Sequence, residues 1–255
     1  MAIVNLTTDS FTGDGSNGDV SRALRRAEEA LEQGADILDI GAESTRPGAE
    51  PVPEVQEIER IVGVLEALAS WNVPISVDTL KPGVMKAALV AGADLVNDVN
   101  GFRAVGAVEA VQDTQAALCV MHMAGEPRTM QQSPRYSDVV TEVAAFLTER
   151  IAVLELAGVA PGRLLLDPGF GFGKSVEHNF AMLKELDRFQ LSGLPVLAGL
   201  SRKSMLGAVT GRAVEERMPA SVAAALIAVQ RGASIVRVHD VAATRDAMLV
   251  WQAVS

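Results

Sequence analysis

Polar side chains recur at the ends of short β-branched runs in this chain. In order they are Asn5, Asp39 with residues 43–46, Asp78, Asn97 with Asp98, His122, Asp167, residues 201–204, and Arg237 with His239. One such residue is commonplace as a turn former or helix cap. A polar residue closing nearly every run points instead to a shared site. Asp78, Asn97 and Asp167 supply acceptors and an amide that suit the donor edge of a flat heterocycle, as carboxylates do when they accept paired N–H bonds. Arg46, Lys203, Arg237 and His239 are cationic or nearly so and suit an anion. Ser204 stands just inside a helix start, where unpaired backbone N–H groups favour a carboxylate or phosphate. The composite expectation is a polar heterocycle that carries, or meets, anions.

The segment Asp167-Pro168-Gly169-Phe170-Gly171-Phe172-Gly173-Lys174-Ser175 invites a phosphate-loop reading that counting rejects. A Walker A loop needs Gly where Pro168 stands, and the dinucleotide fingerprint needs Gly where Lys174 stands. What remains is a strand-to-helix loop with two aromatics, which either wall a flat ligand or anchor the loop in the core. His122, His178 and His239 form no His-x-x-x-His pair, which speaks against zinc. The amide oxygen of Asn5 suits an Mg2+ that keeps most of its waters and is shared with substrate phosphates. No nucleophile triad is evident, and Cys119, inside an apolar run, reads as inert packing.

The elements that must position these residues alternate. Short runs at 2–6, 36–40, 74–77, 94–97, 117–121, 163–166, 195–200 and 234–238 read as strands. Amphipathic, Ala-rich segments such as 20–33, 54–70, 138–157 and 220–231 read as helices with one buried face. Gly34-Ala35-Asp36, Gly92-Ala93-Asp94 and Gly232-Ala233-Ser234 each supply a helix C-cap and a tight turn into the next strand. Eight strand–helix pairs in about 250 residues predict a (β/α)8 TIM barrel, an α/β fold, rather than an open Rossmann-like sheet. In such a barrel the C-terminal strand ends converge on one face.

The 255 residues are 49% apolar and only 4% aromatic, which fits a single domain spanning 1–255 without need of a disulfide or structural metal. Cys119 is the only cysteine, which points to a reducing compartment, the cytoplasm. No apolar stretch approaches the roughly 20 residues of a membrane span, and no basic flank precedes an apolar run. A formal net charge of -10 disfavours nucleic acid as a partner. Taken alone it also disfavours a phosphorylated substrate, but sites are local. Arg46, Lys203, Arg237 and His239 predict one basic pocket on an acidic barrel.

These residues carry a resemblance. From residues 1–11 to Val236-Arg237-Val238-His239-Asp240, the chain resembles the bacterial dihydropteroate synthases, of the pterin-binding barrel family, over essentially its whole length. The intervening blocks are Asp39-Ile40-Gly41-Ala42-Glu43-Ser44-Thr45-Arg46-Pro47-Gly48, Ile75-Ser76-Val77-Asp78-Thr79, Val96-Asn97-Asp98, Met121-His122-Met123, the 165–174 loop, and Ser201-Arg202-Lys203-Ser204. The resemblance implies an enzyme that joins 6-hydroxymethyl-7,8-dihydropterin diphosphate to p-aminobenzoate, giving 7,8-dihydropteroate and pyrophosphate, with Mg2+ as cofactor. Carried over by position, Asp78, Asn97, Asp167 and Lys203 hold the pterin ring, with Met121 and Phe172 along its faces. Asn5, Arg237 and His239 hold the diphosphate and its Mg2+, and Arg46 closes over them. Thr45, Phe172, Lys203 and Ser204 frame p-aminobenzoate. A homodimer formed by late helices and competition by sulfonamides are implied as well.

Two departures stand in the first loop. Thr8 replaces a usual Pro, and Thr12-Gly13-Asp14-Gly15 displaces the loop's acidic residue by one place; Asp14 stays open as the stand-in for an Asp at Gly13, and Asp9 is the safer assignment as the catalytic carboxylate. The rival readings are a pterin-binding methyltransferase on the same barrel and a catalytically silent pterin-binding barrel. A methyltransferase substrate carries no diphosphate and gives no reason to keep residues 201–204 together with Arg237 and His239.

Overall fold

The computed structural model describes residues 1–6, 15–43, 51–125, 130 and 134–254. In chain order the elements are β1 (Ala2–Asn5), α1 (Gly15–Glu32), β2 (Leu38–Gly41), α2 (Glu54–Leu68), β3 (Ile75–Asp78), α3 (Pro82–Val90), β4 (Leu95–Asp98), α4 (Ala107–Val111), β5 (Ala117–Met121), α5 (Val139–Leu156), β6 (Leu164–Asp167), α6 (Val176–Lys184), β7 (Val196–Ala198), α7 (Ser204–Thr210), α8 (Met218–Gln230), β8 (Ala233–Val236) and α9 (Val241–Gln252). The strands pair in parallel in sequence order from β1 to β8. Ala2 bridges Val238 in parallel, Ile3 N–H donates to Val238 O at 3.0 Å, and Val238 N–H donates to Met1 O at 3.0 Å, so the last strand region returns to the first. This is the (β/α)8 arrangement that the alternation predicts, and the open-sheet alternative is excluded. Among the described residues no helix is long and apolar enough to cross a membrane.

Local chemistry explains the joins. The N–H of Gly92 bonds Leu89 O and that of Ala93 bonds Ala88 O, the double closure of a helix C-terminus, with Gly92 at φ +102°. Gly34 repeats the closure at φ +90°, its N–H on Leu31 O and that of Ala35 on Ala30 O. A side chain at either glycine is strained by that backbone conformation.

Successive strand residues point to opposite faces, and this alternation sorts the polar residues. Leu95, Cys119, Leu165 and Leu197 pack with Met1 as a small apolar cluster inside the ring of strands. Their neighbours Val96, Leu118, Val120, Leu164, Leu166 and Val196 face the helices in a much larger core. Two residues beyond the inner cluster, on the same face, stand Asn97, Met121, Asp167 and Gly199. The barrel interior is thus apolar below and polar at its C-terminal mouth. Register aligns the mouth further: Asn5 pairs with Gly41, Gly41 with Asp78, and Asp78 with Asn97.

Candidate active site

Arg237 closes the floor of the mouth. Its Nε donates to Asp39 Oδ2 at 2.5 Å and its Nη2 to Asp78 Oδ2 at 2.7 Å, while Asp39 also accepts from Ser76 Oγ at 2.5 Å. Burial opposes the guanidinium charge, but Asp39, Asp78 and Asp167 outweigh it and hold Arg237 above its ordinary pKa. Asp78 is pushed up to about 7, chiefly by burial, which outweighs the opposing pull of Arg237; the charges of Asp39, Asp98 and Glu57 add to the rise.

Beside Asp78 stands Asn97, 3% exposed, whose Oδ1 is buried and accepts no hydrogen bond among the described residues. A buried carbonyl left without a donor costs roughly 1–3 kcal/mol, so the natural partner of this oxygen is a ligand. Gly41 lies between Asn5 and Asp78: a Cβ there would stand 3.9 Å from Asn5 Oδ1 and 3.5 Å from Asp78 Cβ. Across the mouth, a Cβ on Gly199 would stand 3.9 Å from Lys203 Nζ and 4.0 Å from Asp167 Oδ2, so ammonium and carboxylate face the same small space. Burial raises Asp167 against the pull of Lys203. Burial likewise lowers Lys203 to about 8, with Asp167 resisting the fall.

One wall is apolar. Met121 packs with Val99, Met123 and Met130, and Leu80 and Phe172 lie against them. Lys203 Nζ sits 4.7 Å from the Phe172 ring centroid, a cation–π contact, and donates to the Phe170 carbonyl. Lys203 is set by a bend at Arg202, which adopts φ +59° and is held by Asp240 at 2.5 Å and by its own N–H on Ser221 Oγ at 2.9 Å. Ser201 Oγ accepts from His239 N–H at 3.2 Å and lies 3.0 Å from its Nδ1, which anchors that imidazole beside the β7 end. Ser204 opens α7 and is exposed. The arrangement offers acceptors on the floor, an aromatic and thioether wall, and cations at the rim.

The family model for pterin binding enzymes matches residues 1–239. The chain belongs to this family, among its dihydropteroate synthases. The Haemophilus influenzae dihydropteroate synthase is 49% identical over 254 residues, covering 99% of this chain and 92% of that protein. The crystal structure of the Burkholderia cenocepacia dihydropteroate synthase complexed with 7,8-dihydropteroate is 55% identical with a TM-score of 0.91, covering 100% of this chain and 90% of that one. The Yersinia pestis dihydropteroate synthase in complex with a sulfonamide drug is 44% identical with a TM-score of 0.94, covering 99% and 92%.

Within this synthase barrel the structure gathers Asn5, Asp78, Asn97, Met121, Asp167, Phe172, Lys203, Ser204, Arg237 and His239 around the C-terminal mouth. Asp9, Thr45 and Arg46 lie outside the described residues, as do Gly13 and Asp14. Alternation separates two residues from the polar set. Asp98, fully buried, accepts from the N–H groups of Asn100 at 2.8 Å and Phe102 at 2.7 Å, a turn-forming role. His122 likewise follows an inward residue, and burial with the charges of Lys174 and Arg103 pushes its pKa down to about 3. The two loop aromatics divide between the two readings: Phe170 is fully buried in the core, and half-buried Phe172 lies at the wall.

Among the described residues the pocket is not basic, contrary to expectation. Asp39 and Asp78 match Arg237, and Asp167 matches Lys203, so the described cations stand among carboxylates. Sequence reasoning gave Asp39 no partner because its partner lies 198 residues away, across the closure of the barrel. It also missed Lys81. That lysine joins Glu43, Glu57 at 2.5 Å and Val52 O at 2.6 Å, and Thr79 Oγ1 donates to Glu57 at 2.7 Å. Glu43 and Val52 are thereby tied at the two described ends of the segment that carries Thr45 and Arg46.

Proposed function

We propose that this mouth joins 6-hydroxymethyl-7,8-dihydropterin diphosphate to p-aminobenzoate, releasing pyrophosphate. The observation that carries the reading is the unpartnered Oδ1 of Asn97 between the carboxylates of Asp78 and Asp167. A pterin presents ring and exocyclic N–H donors along one edge, and a buried row of acceptors is the complement to that edge. Lys203 faces a ring acceptor, while Met121 and Phe172 cover the ring faces. The 7,8-dihydropteroate bound by the Burkholderia cenocepacia relative supports a pterin ligand for this barrel.

The diphosphate falls to Asn5, Arg237 and His239, with Arg46 assigned to the same group. Arg237 spends Nε and Nη2 on its carboxylates and makes no hydrogen bond through Nη1 among the described residues, which leaves donors for a phosphate oxygen. Among those residues no group of three His, Cys, Asp or Glu forms a cage for a metal. A hard oxygen donor such as Asn5 Oδ1 fits an Mg2+ held mainly by water and phosphate oxygens. When bound, Mg2+ neutralises charge on the departing pyrophosphate. Asp9 is the first-loop carboxylate assigned to this end of the site.

An aromatic amine is neutral at pH 7 and needs no strong general base, so loss of pyrophosphate is the difficult step. The methylene C–O bond breaks with its electron pair leaving on pyrophosphate. Asp78 and Asp167 stabilise the positive charge that develops on the methylene and ring, and Arg237 and His239 stabilise the leaving group. The amine lone pair then forms the C–N bond, and its proton passes to solvent. Thr45, Phe172, Lys203 and Ser204 frame the amine's ring and carboxylate, the position for which sulfonamides compete. The sulfonamide complex of the Yersinia pestis relative supports that competition.

Release of pyrophosphate from dihydropterin diphosphate, followed with and without p-aminobenzoate and Mg2+, tests the reading. Dependence on Mg2+ together with isotope scrambling before amine addition is expected. Release that needs neither Mg2+ nor amine removes its support. The oligomer proposed is a homodimer through α7, α8 and α9, which expose Val209 at 61%, Leu249 at 50% and Val250 at 69%; sedimentation at micromolar concentration checks it. The compartment proposed is the cytoplasm, in keeping with a single, buried cysteine.

A further inference from the structure

The loop between β6 and α6 is wound around two ammonium groups. Lys203 takes the carbonyl of Phe170 from the site side. Lys174, 3% exposed, takes Gly169 O at 2.8 Å and Phe172 O at 3.0 Å, and also contacts His122 Nδ1 at 2.9 Å. No carboxylate lies within ion-pair distance of Lys174 among the described residues. Leaving a lysine this buried is costly unless all its donors are used, and here two go to the loop itself and one to His122. The same turn fixes the floor, because Gly169 N–H donates to Asp167 Oδ1 at 2.7 Å. The close approach depends on glycine: a Cβ on Gly169, at φ +71°, would overlap the His122 carbonyl oxygen.

We propose that Lys174 is a positioning residue for the p-aminobenzoate site: it touches no substrate, and it acts through the 169–173 turn to hold the Phe172 ring at the wall. The geometry favours this over a purely structural role because the Phe172 carbonyl is itself one of its acceptors, on the same residue as the ring it would set. Burial lowers its pKa well below the ordinary value, with Asp167 resisting and Lys203 assisting, so the group's place depends on the acceptors around it. The proposal rests on the reading of Phe172 as part of the p-aminobenzoate site.

The test is a double-mutant cycle between Lys174→Met and Phe172→Ala, with KM for p-aminobenzoate and kcat measured separately from melting temperature. Lys174→Met is expected to raise that KM about tenfold with a smaller change in kcat, since a misplaced contact group weakens binding and orientation. In the Phe172→Ala background it is expected to raise KM less than about twofold, because the path has been removed. An equal rise in both backgrounds, or a lower melting temperature with KM unchanged, overturns the proposal. Should Lys174→Met fail to fold, His122→Leu deletes one acceptor of the ammonium and His122→Asn replaces it with Oδ1. The first is expected to raise KM and the second to restore it, and identical KM values for the two overturn the proposal. Wild-type enzyme without p-aminobenzoate-dependent turnover would instead defeat the reading of the site, before any variant is compared.

Discussion

Arg237 donates to Asp78 across 2.7 Å while its Nε holds Asp39, so one guanidinium spans two carboxylates from adjacent strands at the floor of the barrel. Removing one partner of such a buried group leaves uncompensated charge and costs about 3–5 kcal/mol. Arg237→Met also removes the attraction that lowers Asp78, so the Asp78 pKa rises further above its present value of about 7. A carboxylate whose folded pKa is raised contributes stability at low pH that is lost as pH climbs through that pKa. The variant is therefore expected to lose more melting temperature at pH 8 than at pH 6, and an equal loss at both would contradict the coupling.

Asp78 predicts the acid limb of activity. Accepting pterin N–H donors requires the carboxylate, and burial places its protonation at about 7. The kcat/KM for the pterin diphosphate is expected to fall about tenfold per pH unit below that point, since this ratio reports ionisations of the free enzyme. Asp78→Asn is expected to be slower at pH 8 and flat through the same range. A wild-type profile level from pH 8 to 5 would show that another group sets the limb.

The strand ends were legible because a parallel barrel sends every inward residue two places beyond an apolar one to the same mouth. Leu95 predicts Asn97, and Leu165 predicts Asp167. The alternation also separates Asn97 from Asp98 once the strand is known to run through Asp98, one residue beyond the predicted boundary. What sequence could not give is closure. Arg237 meets Asp39 only because the β8 end returns to β1, and Lys174 is turned inward only because three glycines with positive φ fold the 169–173 turn under it. Charge counting failed for the same reason, since it credited Arg237 as a cation without seeing the carboxylates that surround it.

Asn97 separates ligand binding from stability. Its Oδ1 makes no hydrogen bond among the described residues, so Asn97→Leu removes a desolvated oxygen while keeping most of the volume. The melting temperature is expected to hold or rise, whereas pterin affinity falls by the roughly 1–3 kcal/mol of a lost buried hydrogen bond. Calorimetric titration with a pterin, beside a thermal melt, reads both. Unchanged affinity would place the heterocycle elsewhere.

Lys203 governs the alkaline limb. Burial lowers its pKa to about 8, so the ammonium that faces Asp167 and the Phe172 ring is lost within reach of ordinary assay conditions. Turnover is expected to decline above that pH, which with the Asp78 limb confines the optimum to a narrow band. Lys203→Ala removes a charged hydrogen bond and is expected to cost at least roughly 1.5–3 kcal/mol in substrate binding at pH 7.5. Lys203→Arg keeps a cation that does not titrate in this range, and although its fork fits the site less well, its profile is expected to stay level from pH 8 to 9.5. A decline in the Arg variant matching the wild type would assign the limb to a different group.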